Sequence, residues 1–154
     1  MTALEQCLPV PLILVIDDMA ETRRLMRRVL ERASLAVIEA DTGEAGLAAV
    51  RARRPDAVVL DLRLPGMSGF DVARAIRSDP DPGIAATPIL ACSASVQPEV
   101  RREALDAGCN DFEGKPFEIG TFPGLLLRLI GQPPASGGHT ARDDRRPRAP
   151  RSTP

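Results

Sequence analysis

The chain has 154 residues, 44% apolar and 27% charged, with a formal net charge of −1; these are the proportions of one globular domain and exclude a fibrous or wholly disordered chain. Trp and Tyr are absent and Phe occurs four times, so the core must be aliphatic. The one histidine, His139, lies in a Gly-rich stretch, which removes His-based catalysis and His metal clusters, and Cys7, Cys92 and Cys109 form no C-x-x-C pair.

With no signal peptide or long apolar span, the three cysteines read as reduced thiols of a cytoplasmic protein. Charge divides the chain in two. Residues 1–131 carry 15 basic and 19 acidic side chains, whereas residues 132–154 carry five Arg and two Asp.

Residues 1–10 show no periodicity and are expected as a loose lead-in. Leu12 to Ile16 is a continuous apolar run, read as a first strand that stops at Asp17-Asp18. From Ala20 to Ala33, Leu25, Met26, Val29, Leu30 and Ala33 recur at helical spacing, with Arg23, Arg24, Arg27, Arg28 and Arg32 on the other face. Leu35 to Ala40 makes a second strand. Asp41 with Glu44 resembles a capping box and opens a second helix running to Arg53. Pro55-Asp56 breaks that helix, and Ala57 to Leu60 is a third strand ending at Asp61.

Ser68 or Gly69 opens a third helix with Phe70, Ala73 and Ile76 inward, and Asp79 to Thr87, rich in Pro and Gly, reads as a loop. Pro88 to Cys92 is a fourth strand ending at Ser93. A fourth helix, Gln97 to Ala107, has Val100, Ala104 and Leu105 as its apolar stripe and Gly108 as its C-terminal cap. Asn110 to Glu113 is a short fifth strand, Lys115-Pro116 turns the chain, and a fifth helix reaches about Ile130 through Phe122, Leu126 and Leu129. Gly120, Pro123 and Gly124 leave its start open. Beyond Gly131 the Pro, Gly, Ser and Arg composition predicts a disordered tail over 132–154, leaving 11–131 as the domain.

Five strands alternating with five helices call for a parallel sheet covered on both faces, with ligands bound beyond the strands' carboxyl ends. At those ends stand Asp17, Asp18, Asp61, Ser93 and Lys115. Singly, Asp17 or Asp18 could cap the first helix and Ser93 a turn. Together they form a constellation. Clustered carboxylates need a counter-charge, and few, hard oxygen ligands suit Mg²⁺ held with waters and a phosphate. Asp61 could then take a phosphoryl group as an acyl phosphate, with Lys115 and Ser93 stabilising its oxygens. Lys115 is also the single lysine among 20 basic residues, and a compact ammonium suits a phosphate or carboxylate where a planar fork would not fit.

These motifs resemble the receiver domain of two-component response regulators over about Leu12 to Ile130: IDD at Ile16 to Asp18, VVLDLRLPGMSGFD at Val58 to Asp71, ACSAS at Ala91 to Ser95 and GKPF at Gly114 to Phe117. The resemblance implies a flavodoxin-like α/β fold, doubly wound, with strand order 2-1-3-4-5. It implies Asp61 as phosphoacceptor, Asp18 as a direct Mg²⁺ ligand, Asp17 as an acidic partner acting largely through water, and the backbone carbonyl of Arg63 as the third protein ligand. It further implies Ser93 as the switch hydroxyl, Lys115 as the phosphate-pairing lysine, Phe112 as the switch aromatic and a cis Lys115-Pro116 bond.

The function expected is a stand-alone response regulator, a phosphoacceptor rather than a turnover enzyme. It would accept its phosphoryl group from a sensor histidine kinase or phosphotransfer protein. It would signal to another protein, or dimerise, through the face of the fourth helix, fifth strand and fifth helix, with no direct nucleic-acid or membrane contact. An Asp-nucleophile phosphatase of the haloacid-dehalogenase type would need a second Asp where Arg63 stands. An adaptor of the same fold that binds partners without phosphate is the other alternative, and the intact acidic and lysine positions speak against it.

Overall fold

The computed structural model describes residues 9–131. The lead-in expected over 1–10 lies, but for its last two residues, outside them, as does the whole of the tail expected over 132–154. In chain order the elements are β1 (Leu12–Ile16), α1 (Ala20–Arg32), β2 (Ala36–Ala40), α2 (Gly43–Arg53), β3 (Ala57–Asp61), α3 (Gly69–Arg77), α4 (Pro82–Ala85), β4 (Ile89–Ser93), α5 (Pro98–Asp106), β5 (Asp111–Gly114) and α6 (Phe122–Ile130).

The strands form one parallel sheet in the order β2-β1-β3-β4-β5, the flavodoxin-like doubly wound arrangement. Because successive side chains on a strand alternate in direction, each apolar run feeds two cores. Leu14, Ile16, Val58, Leu60, Ile89 and Ala91 pack with Leu47 and Val50 of α2, Val72 and Ile76 of α3, and Ala104 of α5. Ile13, Val15, Val59, Leu90 and Cys92 pack on the other face with Met26, Val29 and Leu30 of α1 and Phe122, Leu126 and Leu129 of α6. Both faces are closed, so only the strand ends remain to carry chemistry.

The structure corrects the sequence reading in several places. Among the described residues six helices form where five were expected, because the expected loop Asp79 to Thr87 contains α4. Asp81 caps this turn by accepting the Gly83 amide at 2.8 Å, Pro82 takes its first position, and Ile84 is buried beneath it. At α2 the cap is Thr42 rather than Asp41; its hydroxyl accepts the Ala45 amide at 3.1 Å. At α3 the capping box is Ser68 with Asp71. Leu25, Ala33 and Leu105, assigned to apolar stripes, are exposed, because α1 and α5 bury narrower faces than their apolar spacing suggests.

Gly108 ends α5 as expected. Its φ of +109° places it in the left-handed region, with the Gly108 amide on the Leu105 carbonyl and the Cys109 amide on the Ala104 carbonyl. Against this turn lies Arg77, the last residue of α3. Its guanidinium donates to the carbonyls of Gly108 (2.9 Å), Ala85 (2.9 Å) and Thr87 (2.6 Å) and to Asn110 Oδ1 (2.7 Å). Burial pulls its pKa below the ordinary guanidinium value, yet four oxygens of partial negative charge hold it. Arg77 thereby ties α3 and α4 to the entries of β4 and β5. Arg77→Met should lower stability by about 3 kcal/mol, since it strands several buried acceptors, while far-UV circular dichroism stays native; urea unfolding measures it.

Candidate functional site

Ile16 pairs with Leu60 across the sheet, so the residues that follow them, Asp17 and Asp61, emerge side by side. Both carboxylates are buried, at 1% and 6% exposure, at the point where the order reverses between β1 and β3. Asp18, next in the chain, is exposed. One carboxylate oxygen from each of Asp17, Asp18 and Asp61 falls within 4.8 Å of the others.

Lys115 arrives from the far side of the site. Its amide donates to the Ser93 carbonyl at 2.8 Å, which carries the β4–β5 ladder one residue beyond β5. From there its Nζ donates to Asp17 Oδ2 at 2.8 Å and lies 3.4 Å from Asp61 Oδ2. Burial opposes the ammonium, but the hydrogen bond to Asp17 and the charges of Asp61 and Asp17 outweigh it, and the pKa rises above the ordinary lysine value. The Lys115–Pro116 bond is cis.

Asp17 is fixed at both oxygens, since its Oδ1 accepts the Met19 amide at 2.9 Å. The carboxylate therefore holds the β1–α1 turn; the N-cap of α1 is Met19, without a side-chain cap, so neither Asp17 nor Asp18 caps that helix. Asp61 is held less tightly. Its Oδ1 accepts the Arg63 amide at 3.1 Å, while Arg63 itself is exposed. Burial, and after it the charge of Asp17, raises the Asp61 pKa against the lowering effects of the Arg63 amide and Lys115.

Ser93 is 1% exposed, and its Oγ accepts the Ser95 amide at 3.1 Å, the local turn that its residue type allows. Phe112 is 8% exposed and packs in the core beside Ala91, its partner in the ladder. Cys92 pairs in register with Asp61, but burial pushes its thiol pKa strongly up; burial holds the Cys109 thiol at about 12. Neither is a thiolate at neutral pH, and Cys109 lies before β5, at the opposite end of the sheet.

Sequence reasoning missed two supports. Gly69 opens α3 directly behind Asp61, and a Cβ there would collide with the Asp61 carbonyl and come within 2.6 Å of the Leu62 Cα. The "SG" turn at Ser68-Gly69 was visible, but the closeness of the strand was not. Arg23, placed by its spacing on the basic face of the first helix, turns back to the Asp17 carbonyl at 2.7 Å.

The donor chemistry fits a small, hard divalent cation: three carboxylates, two of them buried, each offer an oxygen within 4.8 Å of the others. A parallel α/β sheet whose switch point carries clustered acids opposite one lysine has the form of a ligand-binding edge. The response regulator receiver domain family model matches residues 13–125, and the chain belongs to that family.

Among its relatives, the transcriptional regulatory protein KdpE of Mycobacterium tuberculosis is 40% identical over 119 residues, covering 77% of this chain and 50% of KdpE. The sensor histidine kinase AruS of Pseudomonas aeruginosa is 37% identical over 120 residues, covering 78% of this chain and 12% of AruS. The chain thus spans about half the length of KdpE and a small part of AruS. Among solved structures, it is similar to the receiver domain of sensor histidine kinase PA1611 from P. aeruginosa PAO1, which has a magnesium ion coordinated in its active-site cleft. That match has a TM-score of 0.73 and 27% identity, over 80% of this chain and all of that one.

The raised Asp61 pKa carries a sign. Protonation favours the folded state, so the ionised carboxylate costs stability above the ordinary carboxylate range, and that cost disappears as pH falls. Asp61→Asn should therefore raise metal-free stability at pH 7 by about 1 kcal/mol, with Asp17 retaining Lys115. Thermal unfolding at pH 7 and pH 3.5 should show the gain at the first and little at the second.

Proposed function

We propose that residues 11–131 form a phosphoacceptor module in which Asp61 takes a phosphoryl group from the phosphohistidine of a sensor histidine kinase or phosphotransfer protein. A carboxylate oxygen of Asp61 forms the new O–P bond as the N–P bond breaks. The donor imidazole leaves with that electron pair, neutral once its other nitrogen carries a proton. One geometric fact supports this most: a single ammonium reaches both Asp17 (2.8 Å) and Asp61 (3.4 Å), so it is already placed beside the oxygens that an aspartyl phosphate would carry.

Asp18, Asp61 and the carbonyl of Arg63 would hold Mg²⁺, with Asp17 acting largely through water. When bound, the ion supplies charge for the oxygens of the transferring group. Ser93 and Phe112 would register the new charge. The first can donate its Oγ–H to a phosphoryl oxygen, since its bond with the Ser95 amide uses Oγ only as an acceptor, and the second can repack within the core beside Ala91. Such a switch moves a pre-existing equilibrium by no more than the difference in affinity for its two states. Output runs to another protein or to a second copy through the α5, β5 and α6 face, and the module does not turn over as an enzyme.

The kinase-facing surface suggested by this structure lies along α1. Leu25, Val29 and Ala33 form a groove of about 400 Å³ with Ile119 and Pro123 ahead of and at the start of α6, flanked by Arg28 and Arg32. Leu25 and Ile119 are 43% and 55% exposed. That pairing of apolar floor and basic rim suits an acidic, amphipathic helix of the phosphoryl donor.

Incubation with acetyl phosphate and Mg²⁺ should add one phosphoryl group by intact-protein mass spectrometry, dependent on Mg²⁺ and absent from Asp61→Asn; phosphate gained by that variant on another residue would overturn the assignment. Lys115→Arg should slow the reaction at least about tenfold despite its retained charge. Reversing Arg28 and Arg32 to Glu should slow transfer from a phosphorylated kinase domain and leave the acetyl phosphate rate unchanged.

A further inference from the structure

The β1–α1 turn presents Asp18 outward without a side-chain cap at the start of α1. Asp17 is locked by its own carboxylate bonds, but Asp18 takes its direction from the peptide that joins the two residues. That peptide has a dedicated partner. Arg23, from the first turn of α1, donates its Nη1 to the Asp17 carbonyl at 2.7 Å and its Nε to Glu39 Oε1 on β2 at 3.3 Å. Its side chain is 18% exposed.

We infer that Arg23 is a positioning residue for the metal site: it holds the Asp17–Asp18 peptide so that the Asp18 carboxylate faces the Mg²⁺. The inference rests on the phosphoacceptor reading above. Glu39 orients the guanidinium from one side, and the carbonyl receives it on the other. A fixed arginine fork serves this bridge better than a lysine, which offers its donors from one nitrogen.

A simple helix-to-strand ion pair would look similar, and the structure contains its own control. Arg27, one turn on, donates to the same Glu39 at 2.8 Å and to Glu31 at 2.9 Å, without a bond to the turn. Charge also separates the two explanations by sign. Removing a cation near a divalent site tightens metal binding by Coulomb's law, whereas removing an anchor loosens it.

The test is Mg²⁺ titration by calorimetry on the full chain, with circular dichroism melts on every variant. Wild type should bind Mg²⁺ and Asp18→Asn should lose it. Arg23→Met should weaken binding roughly tenfold, as supporting residues of metal sites do, while Arg27→Met stays within about twofold of wild type. Arg23→Lys, with the charge and one donor kept, should fall between them, and it decides the matter if Arg23→Met does not fold. Unchanged or tighter binding in the folded Arg23 variants overturns the anchor alone. A wild-type chain that takes up no Mg²⁺ overturns the metal-site reading and the anchor with it.

Discussion

The ammonium of Lys115 between the carboxylates of Asp17 and Asp61 is the contact on which the rest of the edge depends. Two acids at 1% and 6% exposure cannot share a strand-end pocket without a cation, because desolvation and mutual repulsion both oppose their ionised forms. The raised Asp61 pKa shows that Lys115 offsets this only in part. Asp17 keeps the tighter bond to the lysine, at 2.8 Å against 3.4 Å for Asp61. One residue is thereby anchored and the other remains available.

That inequality follows from the sheet. The register that pairs Ile16 with Leu60 brings the two acids out together, and the bond from the Lys115 amide to the Ser93 carbonyl brings the lysine in from the opposite side. Since helices cover both faces, polar side chains gather where the strands run out. The glycine behind Asp61 permits α3 to start against the strand end, and Arg77 fixes the opposite end of α3 to the entries of β4 and β5. The acidic edge and the supporting edge are thus different ends of the same helix.

Much of this was legible in the chain. Continuous apolar runs of about five residues, each closed by a polar residue, identify buried parallel strands, and residues that close them form the acidic cluster with Lys115. The alternation of runs and helical stripes leaves few topologies, and the observed order is the one expected from the family motifs. Other features were harder to read for identifiable reasons. Helix α4 is a single capped turn too short to show periodicity. Leu25 and Leu105 fit helical spacing yet face outward, because spacing reports which residues share a face and not how much of that face a neighbour covers. The roles of Arg23 and Arg77 were not legible because each donates to backbone carbonyls as well as to a side chain, and no residue type announces a carbonyl partner.

The sequence by itself pointed to the parallel α/β class that the sheet bears out, and to Asp17, Asp18, Asp61, Ser93 and Lys115 as the polar residues gathered at its strand ends, since hydrophobic period and residue type are local properties of the chain. Tertiary structure alone decided how these groups divide their charge: that Lys115 binds Asp17 more closely than Asp61, that Ser93 is engaged with Ser95, and that an arginine of α1 holds the turn beside Asp18. Those outcomes depend on distances between residues as far apart as 17 and 115, which only the packed sheet sets.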